Sequence, residues 1–160
     1  MSEIPLEIQV GQLLRAHKST LVTAESCTGG LIGHLLTNVP GSSEYYLGGV
    51  VAYAYEAKVA LLGVDWETLQ KYGAVSEEVA LQMARGVRAA LKGQIAVSVT
   101  GIAGPGGGMP TKPVGLTWIG ISTPTGTWAK RFVWNRDREG NKMSSARAAL
   151  EMVKQYLENL

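Results

Sequence analysis

The chain has few of the residues on which disulfide and metal chemistry depend. Its 160 residues include one cysteine, Cys27, and two histidines, His17 and His34. A single cysteine excludes an internal disulfide and is typical of proteins from reducing compartments. The two histidines fall in separate helical segments, and no cluster of Cys, His and carboxylate residues has the spacing of metal ligands. We therefore predict that no metal ion is bound.

The sequence also lacks runs of basic residues and long apolar stretches. The formal net charge is only +2, and no run of Lys or Arg predicts a nucleic-acid or membrane-surface partner. No apolar stretch has the length of a membrane span, and residues 1–7 (MSEIPLE) lack the basic and apolar regions of a signal peptide. We therefore expect a cytoplasmic protein. A length of 160 residues with 46% hydrophobic content predicts that residues 1–160 form a single domain.

Helical and β-type patterns alternate along the first half of the chain. Apolar periodicity predicts helices over residues 3–18, 31–38, 55–62, 65–72, 79–92 and 144–160. Short β-type runs predict strands over residues 20–23, 50–53, 95–99, 114–122 and 127–134, the last two joined by a hairpin turn at 124–126. Strands that alternate early and form a hairpin late predict an α/β fold, a three-layer α/β/α sandwich with a mixed sheet.

The turn at residues 24–30 (AESCTGG) is the stretch around which the rest is organised. It follows a β-type run and precedes a helical one, which would place Ser26 near a helix N-terminus. Unpaired N–H groups there favour a phosphate or the oxyanion of an acyl-transfer intermediate. The alternative is an ordinary serine N-cap followed by a glycine-softened first turn.

Two further irregular stretches follow strands and would meet this turn at one edge of the sheet. The first is the junction at residues 53–58. Lys58 lies there early in a helix, where it is either a solvated surface residue or a base whose pKa is depressed. The second, residues 100–108, is neither a Walker A nor a Rossmann motif, and is either a nest for a phosphate or a plain mobile loop. Ser26 and Lys58 would form a nucleophile and base for amide or ester hydrolysis, with Tyr53 orienting the proton. His34 is a weaker candidate base because it lies two turns beyond Ser26.

Five co-ordered segments carry a family resemblance that covers nearly the whole chain. They are residues 24–30 (AESCTGG), 48–58 (GGVVAY, then EAK), 73–77 (GAVSE), 99–105 (VTGIAGP) and 112–115 (KPVG). Together they resemble the CinA C-terminal domain family, which includes stand-alone nicotinamide mononucleotide deamidases. In that family a serine and lysine dyad, assisted by a tyrosine, hydrolyses the carboxamide to give nicotinate mononucleotide and ammonia.

The resemblance assigns roles residue by residue. It implies Ser26 as nucleophile, Lys58 as general base and Tyr53 as its helper, with no cofactor, a small pyridine nucleotide as substrate and a homo-oligomer, dimer or larger, as the assembly. It also implies that the substrate or intermediate contacts Cys27, Thr28, Gly29, Gly30, Thr100, Gly101, Ile102, Ala103 and Gly104. Cys27 itself is better interpreted as a small buried neighbour than as the nucleophile.

The chain departs from the family pattern in two places. Ala54 and Tyr55 stand where many members have Ser-Asn, which removes two small polar groups beside the dyad. Arg138 remains a candidate contact for a phosphate or carboxylate, but Lys142 stands where a second arginine is usual, and a lysine cannot bind bidentately. Two alternatives therefore stay open: a nucleotide-binding module of the same family with weak or no catalysis, and an amidase or esterase with another substrate.

Overall fold

Helices separate the first three strands, three of them in succession between the second strand and the third, and the chain then forms a hairpin and a long final helix. The structure, a computed structural model, describes residues 3–160. The elements of this part are α1 Leu6–Ala16, β1 Leu21–Glu25, α2 Leu31–Thr37, β2 Tyr46–Val51, α3 Tyr55–Leu62, α4 Trp66–Tyr72, α5 Glu77–Leu91, β3 Ile95–Gly101, β4 Leu116–Thr123, β5 Gly126–Val133 and α6 Arg138–Glu158, with a 3₁₀ turn at Ser42–Glu44. None of these helices combines the length and apolar character needed to cross a bilayer.

The five strands form one mixed sheet in the order β2-β1-β3-β4-β5. Strand β1 is parallel to both β2 and β3, whereas β4 is antiparallel to both β3 and β5. Apolar side chains of α1, α2 and α6 pack on one face, and those of α3, α4 and α5 pack on the other. Since both faces are covered, every residue of the interior strand β1 is buried. The predicted three-layer α/β/α sandwich with a mixed sheet is confirmed.

Two element boundaries near the site differ from the predictions. Strand β2 spans Tyr46–Val51 rather than residues 50–53, because its pairing with β1 ends at Glu25↔Val51. Ala52 and Tyr53 therefore lie beyond the strand, where their carbonyl groups are free to turn toward α3. Strand β3 continues to Gly101, two residues further than predicted, so Thr100 belongs to the strand and not to the loop.

Ser26 does not lie at the start of a helix, contrary to the prediction. Helix α2 begins at Leu31, and its N-cap is Gly30, with φ +104°. A residue with a side chain is strained at that φ, so glycine is required for the chain to leave the turn and enter the helix. Residues 26–30 form a separate turn between β1 and α2, and the serine N-cap interpretation is wrong.

The terminal helices also differ from the predicted spans. Helix α1 is shorter than residues 3–18, with Pro5 preceding its first turn. Helix α6 begins at Arg138 rather than at 144, because the Asp137 side chain accepts a hydrogen bond of 2.8 Å from the Gly140 N–H. Gly140 and Asn141 are poor helix formers, which hides this first turn from sequence patterns. The early start brings Arg138 to the site.

Candidate active site

Ser26 and Lys58 are in direct contact at the carboxyl ends of the parallel strands. Ser26 follows β1, and its N–H donates to the Val99 carbonyl at 3.0 Å, which fixes the turn against β3. Lys58 lies in the first turn of α3 and is only 1% exposed. Its Nζ lies 2.9 Å from Ser26 Oγ. The predicted pairing of these side chains is present, and the solvated-lysine alternative is excluded.

The remaining partners of Lys58 are backbone carbonyls. Nζ donates to Ala52 O at 2.9 Å and to Tyr53 O at 3.0 Å. Within residues 3–160 the only ion pair joins Arg15 and Glu44, so no carboxylate holds Lys58 in its charged form. Burial lowers the pKa of Lys58 from 10.5 to about 8. With that pKa, about a tenth of the protein carries at pH 7 the neutral amine that a general base requires.

Burial shifts the pKa of Cys27 in the direction that makes its side chain less reactive, whereas it makes Lys58 a better base. Its side chain is 7% exposed, and burial raises the pKa of its thiol to about 11. A thiol with this pKa is protonated at neutral pH, and the thiol form is a poor nucleophile. The interpretation of Cys27 as a small buried neighbour of the nucleophile agrees with this environment.

A cavity of about 200 Å³ opens onto the Ser26–Lys58 pair. It is lined by Ser26, Cys27, Tyr53, Lys58, Ala74, Val75, Thr100, Gly101, Ala103 and Arg138. Pockets that enclose a whole drug-sized ligand measure roughly 300–1,000 Å³. The cavity therefore has room for the reacting end of a substrate, while a larger remainder would extend past its mouth.

Unused backbone N–H groups lie beside the nucleophile. The N–H groups of Cys27 and Thr28 donate to no other residue among 3–160, whereas the Gly29 N–H donates to Ser26 O at 3.1 Å. The Ser26 N–H is also occupied, by Val99. Donors immediately after a nucleophile are suited to an oxyanion, so Cys27 and Thr28 are the candidates from this turn.

Glu25 supports the turn and was not identified from the sequence. Its carboxylate is 2% exposed and accepts from the N–H groups of Ile32 and Gly33, at 2.9 and 3.1 Å. These two N–H groups lie in the first turn of α2, where they have no acceptor within the helix and where negative charge is favourable. Glu25 thus ties the end of β1 to α2 across the turn that carries Ser26. The signal was a carboxylate at the end of an apolar strand, just before the glycine pair.

Tyr53 reaches two parts of the site through two different groups. Its backbone carbonyl holds Lys58, while its hydroxyl accepts from Arg138 Nη2 at 3.1 Å. Arg138 Nη1 donates to Gly104 O at 2.8 Å, so the guanidinium connects the β2–α3 loop to the glycine-rich loop at the cavity mouth. Any orienting effect of Tyr53 on Lys58 is therefore exerted by its carbonyl in this structure.

The departure at Ala54 and Tyr55 does not deprive Lys58 of hydrogen bonds, because its carbonyl partners belong to the backbone. The Tyr55 hydroxyl instead accepts from the Ala74 N–H at 3.3 Å. The Ala74 carbonyl in turn accepts from Thr100 Oγ1 at 2.8 Å. Tyr55 thereby joins α3 to the loop that forms one wall of the cavity.

Several predicted contact residues lie around the cavity without lining it. Thr28, Gly29, Gly30 and Ile102 are absent from the lining, and Gly104 contributes through its bond to Arg138. His34 is exposed on α2, and its Nε2 lies 3.4 Å from Asn38 Nδ2, so it is not a base for Ser26. Within the described range 3–160, side chains of His, Cys, Asp and Glu form no group of three that would hold a metal ion.

Asn141 holds the glycine-rich loop and was also missed. The side chain is 2% exposed, and its Nδ2 donates to Ala103 O at 2.9 Å while its Oδ1 accepts from the Arg136 N–H at 3.0 Å. The bond to Ala103 O holds the glycine-rich loop, which lies next to the nucleophile, against α6. Asn141 could be recognised only after the true start of α6 was known.

Comparison with known proteins gives matches over almost the full chain. Residues 3–157 match the family model described as the CinA C-terminal domain. A CinA-like protein from Salinibacter ruber is 53% identical over 155 residues, which cover 97% of this chain and 38% of that protein. A CinA-like protein from Chloroherpeton thalassium is 48% identical over 160 residues, covering 98% of this chain and 38% of that protein. The chain thus spans less than two-fifths of either relative.

Solved structures match both the sequence and the fold. The competence/damage inducible protein CihA from Agrobacterium tumefaciens superposes with a TM-score of 0.90 at 39% identity, covering 99% of each chain. The competence damage-inducible protein A from Klebsiella pneumoniae has a TM-score of 0.93 at 35% identity, covering 96% of this chain and 95% of the other.

Proposed function

Since the chain belongs to the CinA C-terminal domain family, we propose that it is an amidohydrolase that converts nicotinamide mononucleotide to nicotinate mononucleotide and ammonia. Ser26 is the nucleophile and Lys58 the general base. The observation that carries this proposal is the buried lysine amine 2.9 Å from a serine hydroxyl, with no carboxylate beside it in the described part of the chain.

The three partners of Lys58 are compatible with both of its protonation states. A neutral amine has two N–H donors and one lone pair, so it can donate to Ala52 O and Tyr53 O and accept the Ser26 hydroxyl proton. A protonated amine has three N–H donors, which suit the same three oxygen atoms. Proton transfer from Ser26 to Lys58 therefore needs no rearrangement of hydrogen-bond partners, which supports the assignment of the base.

The proposed cycle proceeds through an ester on Ser26. Oγ attacks the carboxamide carbon as Lys58 takes its proton, and the N–H groups of Cys27 and Thr28 stabilise the oxyanion. Lys58 then donates that proton to the nitrogen, the C–N bond breaks and ammonia leaves. Water attacks the ester, Lys58 accepts a proton from it, and the C–Oγ bond breaks with return of the proton to Ser26.

Cations at the cavity mouth favour a substrate with a phosphate. Arg138 lines the cavity, and Lys142 follows one turn later on the same side of α6. Lys142 Nζ lies 3.8 Å from the position that a Cβ on Gly29 would occupy, so it reaches the Ser26 turn. We propose that the carboxamide enters the cavity and that the phosphate outside it contacts Arg138 and Lys142.

The test is ammonia release from nicotinamide mononucleotide by the purified chain and by Ser26→Ala and Lys58→Met variants. We expect Lys58→Met to lose roughly a hundredfold to ten-thousandfold in rate, and Ser26→Ala to lose more. Ser43→Ala and Lys71→Met change the same residue types at exposed positions and serve as matched controls. Full activity in a folded Ser26→Ala variant contradicts the proposed nucleophile.

The same assay separates the alternatives. A parent chain that binds the nucleotide but releases no ammonia is the binding module, whose sequence argument was the loss of polar groups at Ala54 and Tyr55. The structure weakens that argument, because Lys58 keeps backbone partners. Release of ammonia from other carboxamides in preference to nicotinamide mononucleotide indicates an amidase with another substrate.

The remaining expectations concern assembly, location and cofactors. A homo-oligomer, a cytoplasmic location, no cofactor and no nucleic-acid or membrane partner stay predictions. Light scattering coupled to size-exclusion chromatography measures the assembly directly, and activity before and after dialysis against a chelator tests the metal-independent cycle.

A further inference from the structure

A second concave surface lies at the opposite end of the sheet from Ser26. It is a cleft of about 420 Å³ between the C-terminal half of α5 and the β4–β5 hairpin. Ser122, which lines the cleft, pairs with Ala96 at the start of β3, whereas the cavity near Ser26 adjoins Thr100 at the end of that strand. We call this surface, which also contains Arg85, Arg88, Lys92 and Thr127, the α5 cleft.

The α5 cleft concentrates positive charge without a counter-charge. Arg85, Arg88 and Lys92 line it, and no carboxylate does. Arg88 Nε donates to the Gln94 carbonyl at 3.0 Å, which holds that side chain in place. The side chains of Arg85 and Lys92 make no hydrogen bond or ion pair with any residue in 3–160. Three cations in a chain whose formal net charge is +2 form a strong local field.

Stability of α5 does not account for this arrangement. Cations near a helix C-terminus interact favourably with the helix dipole, which explains Arg88 and Lys92. The effect falls off within the last turn, and Arg85 lies more than one turn before the last helical residue, Leu91. Arg85 and Arg88 are also neighbours on the helix surface, as are Arg88 and Lys92, so they repel each other. An anion between them would relieve that repulsion.

The floor of the α5 cleft supplies hydroxyl groups. Ser122 is 2% exposed, and its Oγ lies 2.9 Å from Thr127 Oγ1. One hydroxyl donates to the other, which leaves the second with a free O–H for a ligand oxygen. The cleft thus combines two hydroxyl groups with one cation held by a backbone carbonyl and two cations whose side chains have no partner among residues 3–160.

We propose that the α5 cleft binds a small molecule carrying two or more linked phosphate groups. Three separated cations match several phosphates better than one, and the volume lies within the roughly 300–1,000 Å³ of small-molecule sites. The charge is confined to a concavity, whereas a nucleic-acid surface presents an extended basic stripe. An inorganic polyphosphate and a nucleoside triphosphate share this chemistry.

The test is calorimetric titration of the full chain with inorganic tripolyphosphate and, separately, with adenosine triphosphate, at a constant ionic strength of about 150 mM, where weak surface attraction is largely screened. The variant Arg85→Gln/Lys92→Gln removes two cleft cations. Arg147→Gln/Lys71→Gln removes two exposed cations elsewhere, and Arg138→Gln removes the cation of the Ser26 cavity. Amide NMR shifts of the unmodified chain locate the bound probe without any substitution.

We expect saturable binding that weakens about tenfold or more in the cleft variant, because charge-assisted contacts are lost. Binding should persist in the other two variants, and shifts should centre on Gly93 and Thr127. Tighter binding of adenosine triphosphate identifies the ligand as a nucleotide, and equal or tighter binding of tripolyphosphate identifies the phosphates alone. No saturable binding, equal weakening in the Arg147→Gln/Lys71→Gln control, or loss in Arg138→Gln would overturn the proposal.

Discussion

The pH dependence of amide hydrolysis tests the role of Lys58 most directly. The base acts in its neutral form, and burial lowers the pKa of Lys58 to about 8. With that pKa, about a tenth of the protein carries neutral Lys58 at pH 7 and about half at pH 8. We expect kcat/KM to rise about tenfold per pH unit well below pH 8 and to level off above it.

The assay is initial-rate ammonia release from nicotinamide mononucleotide between pH 6.5 and 9.5. The second ionisation of a phosphate monoester, near pH 6, falls below this range. The Cys27 thiol, whose pKa burial raises to about 11, titrates above it. Circular dichroism at each pH confirms that the chain stays folded. A change in rate within this range therefore reports on the base.

Lys58→Arg provides the matched variant. A guanidinium keeps the positive charge and the donors but is not deprotonated in proteins, so we expect no measurable base catalysis at any pH in the range. A rate that is flat across the range for the parent chain, or that falls as pH rises through 8, would refute the assignment of a neutral Lys58 as base. Activity in Lys58→Arg that follows the parent profile would refute it independently.

Three further predictions concern stability. The pKa of lysine is 10.5 in the unfolded chain, whereas that of folded Lys58 is about 8. Between these two pH values the unfolded state binds more protons than the folded state. The free energy of unfolding therefore rises with pH over this range. Relative to Lys58→Met, the free energy of unfolding should increase by about 1 kcal/mol from pH 7 to pH 9 in urea titrations, and no change would contradict the depressed pKa. Glu25→Gln places an amide donor against one of the α2 N–H groups, so we expect a loss of about 1–3 kcal/mol in urea titrations together with a lower kcat; unchanged stability and kcat would show that the carboxylate does not fix the turn. Asn141→Ala leaves Ala103 O without its donor and should cost about 1–3 kcal/mol in thermal unfolding, whereas the exposed control Asn159→Ala should cost less; equal effects would contradict the proposed bond.

The local patterns of the chain were sufficient for most of the fold. Helices α3 and α4 and the β4–β5 hairpin are close to the predicted spans, because alternating or periodic apolar residues ended at Gly63, Gly73 and the turn at 124–126. Errors occurred where hydrogen bonds outside the apolar pattern decided the boundary. Asp137 starts α6 six residues before the predicted 144, and the pairing of β1 with β2 moves that strand to Tyr46–Val51.

The same distinction between local pattern and tertiary contact applies to the candidate site. Ser26, Lys58 and Tyr53 were identified from motifs, but their roles depended on contacts between segments. Lys58 is separated from Ser26 by 32 positions, and its burial and carbonyl partners arise only when α3 packs beside the end of β1. Glu25 and Asn141 were missed because each acts by accepting or donating to backbone groups on another element.

The order of residues was sufficient to predict a single α/β unit and to identify the family that the chain resembles. It also predicted that a serine turn, a lysine junction and a glycine-rich loop follow strands. These properties follow from the order and periodicity of residues, which local sterics and apolar burial translate directly into elements. The burial of Lys58 beside Ser26 and the bridge that Arg138 forms at the cavity mouth arise only from the packing of distant segments. The same packing also brings the cations of α5 against two hydroxyl groups of the hairpin. Desolvation, hydrogen bonding and electrostatic fields depend on distances between segments, and only packing sets those distances.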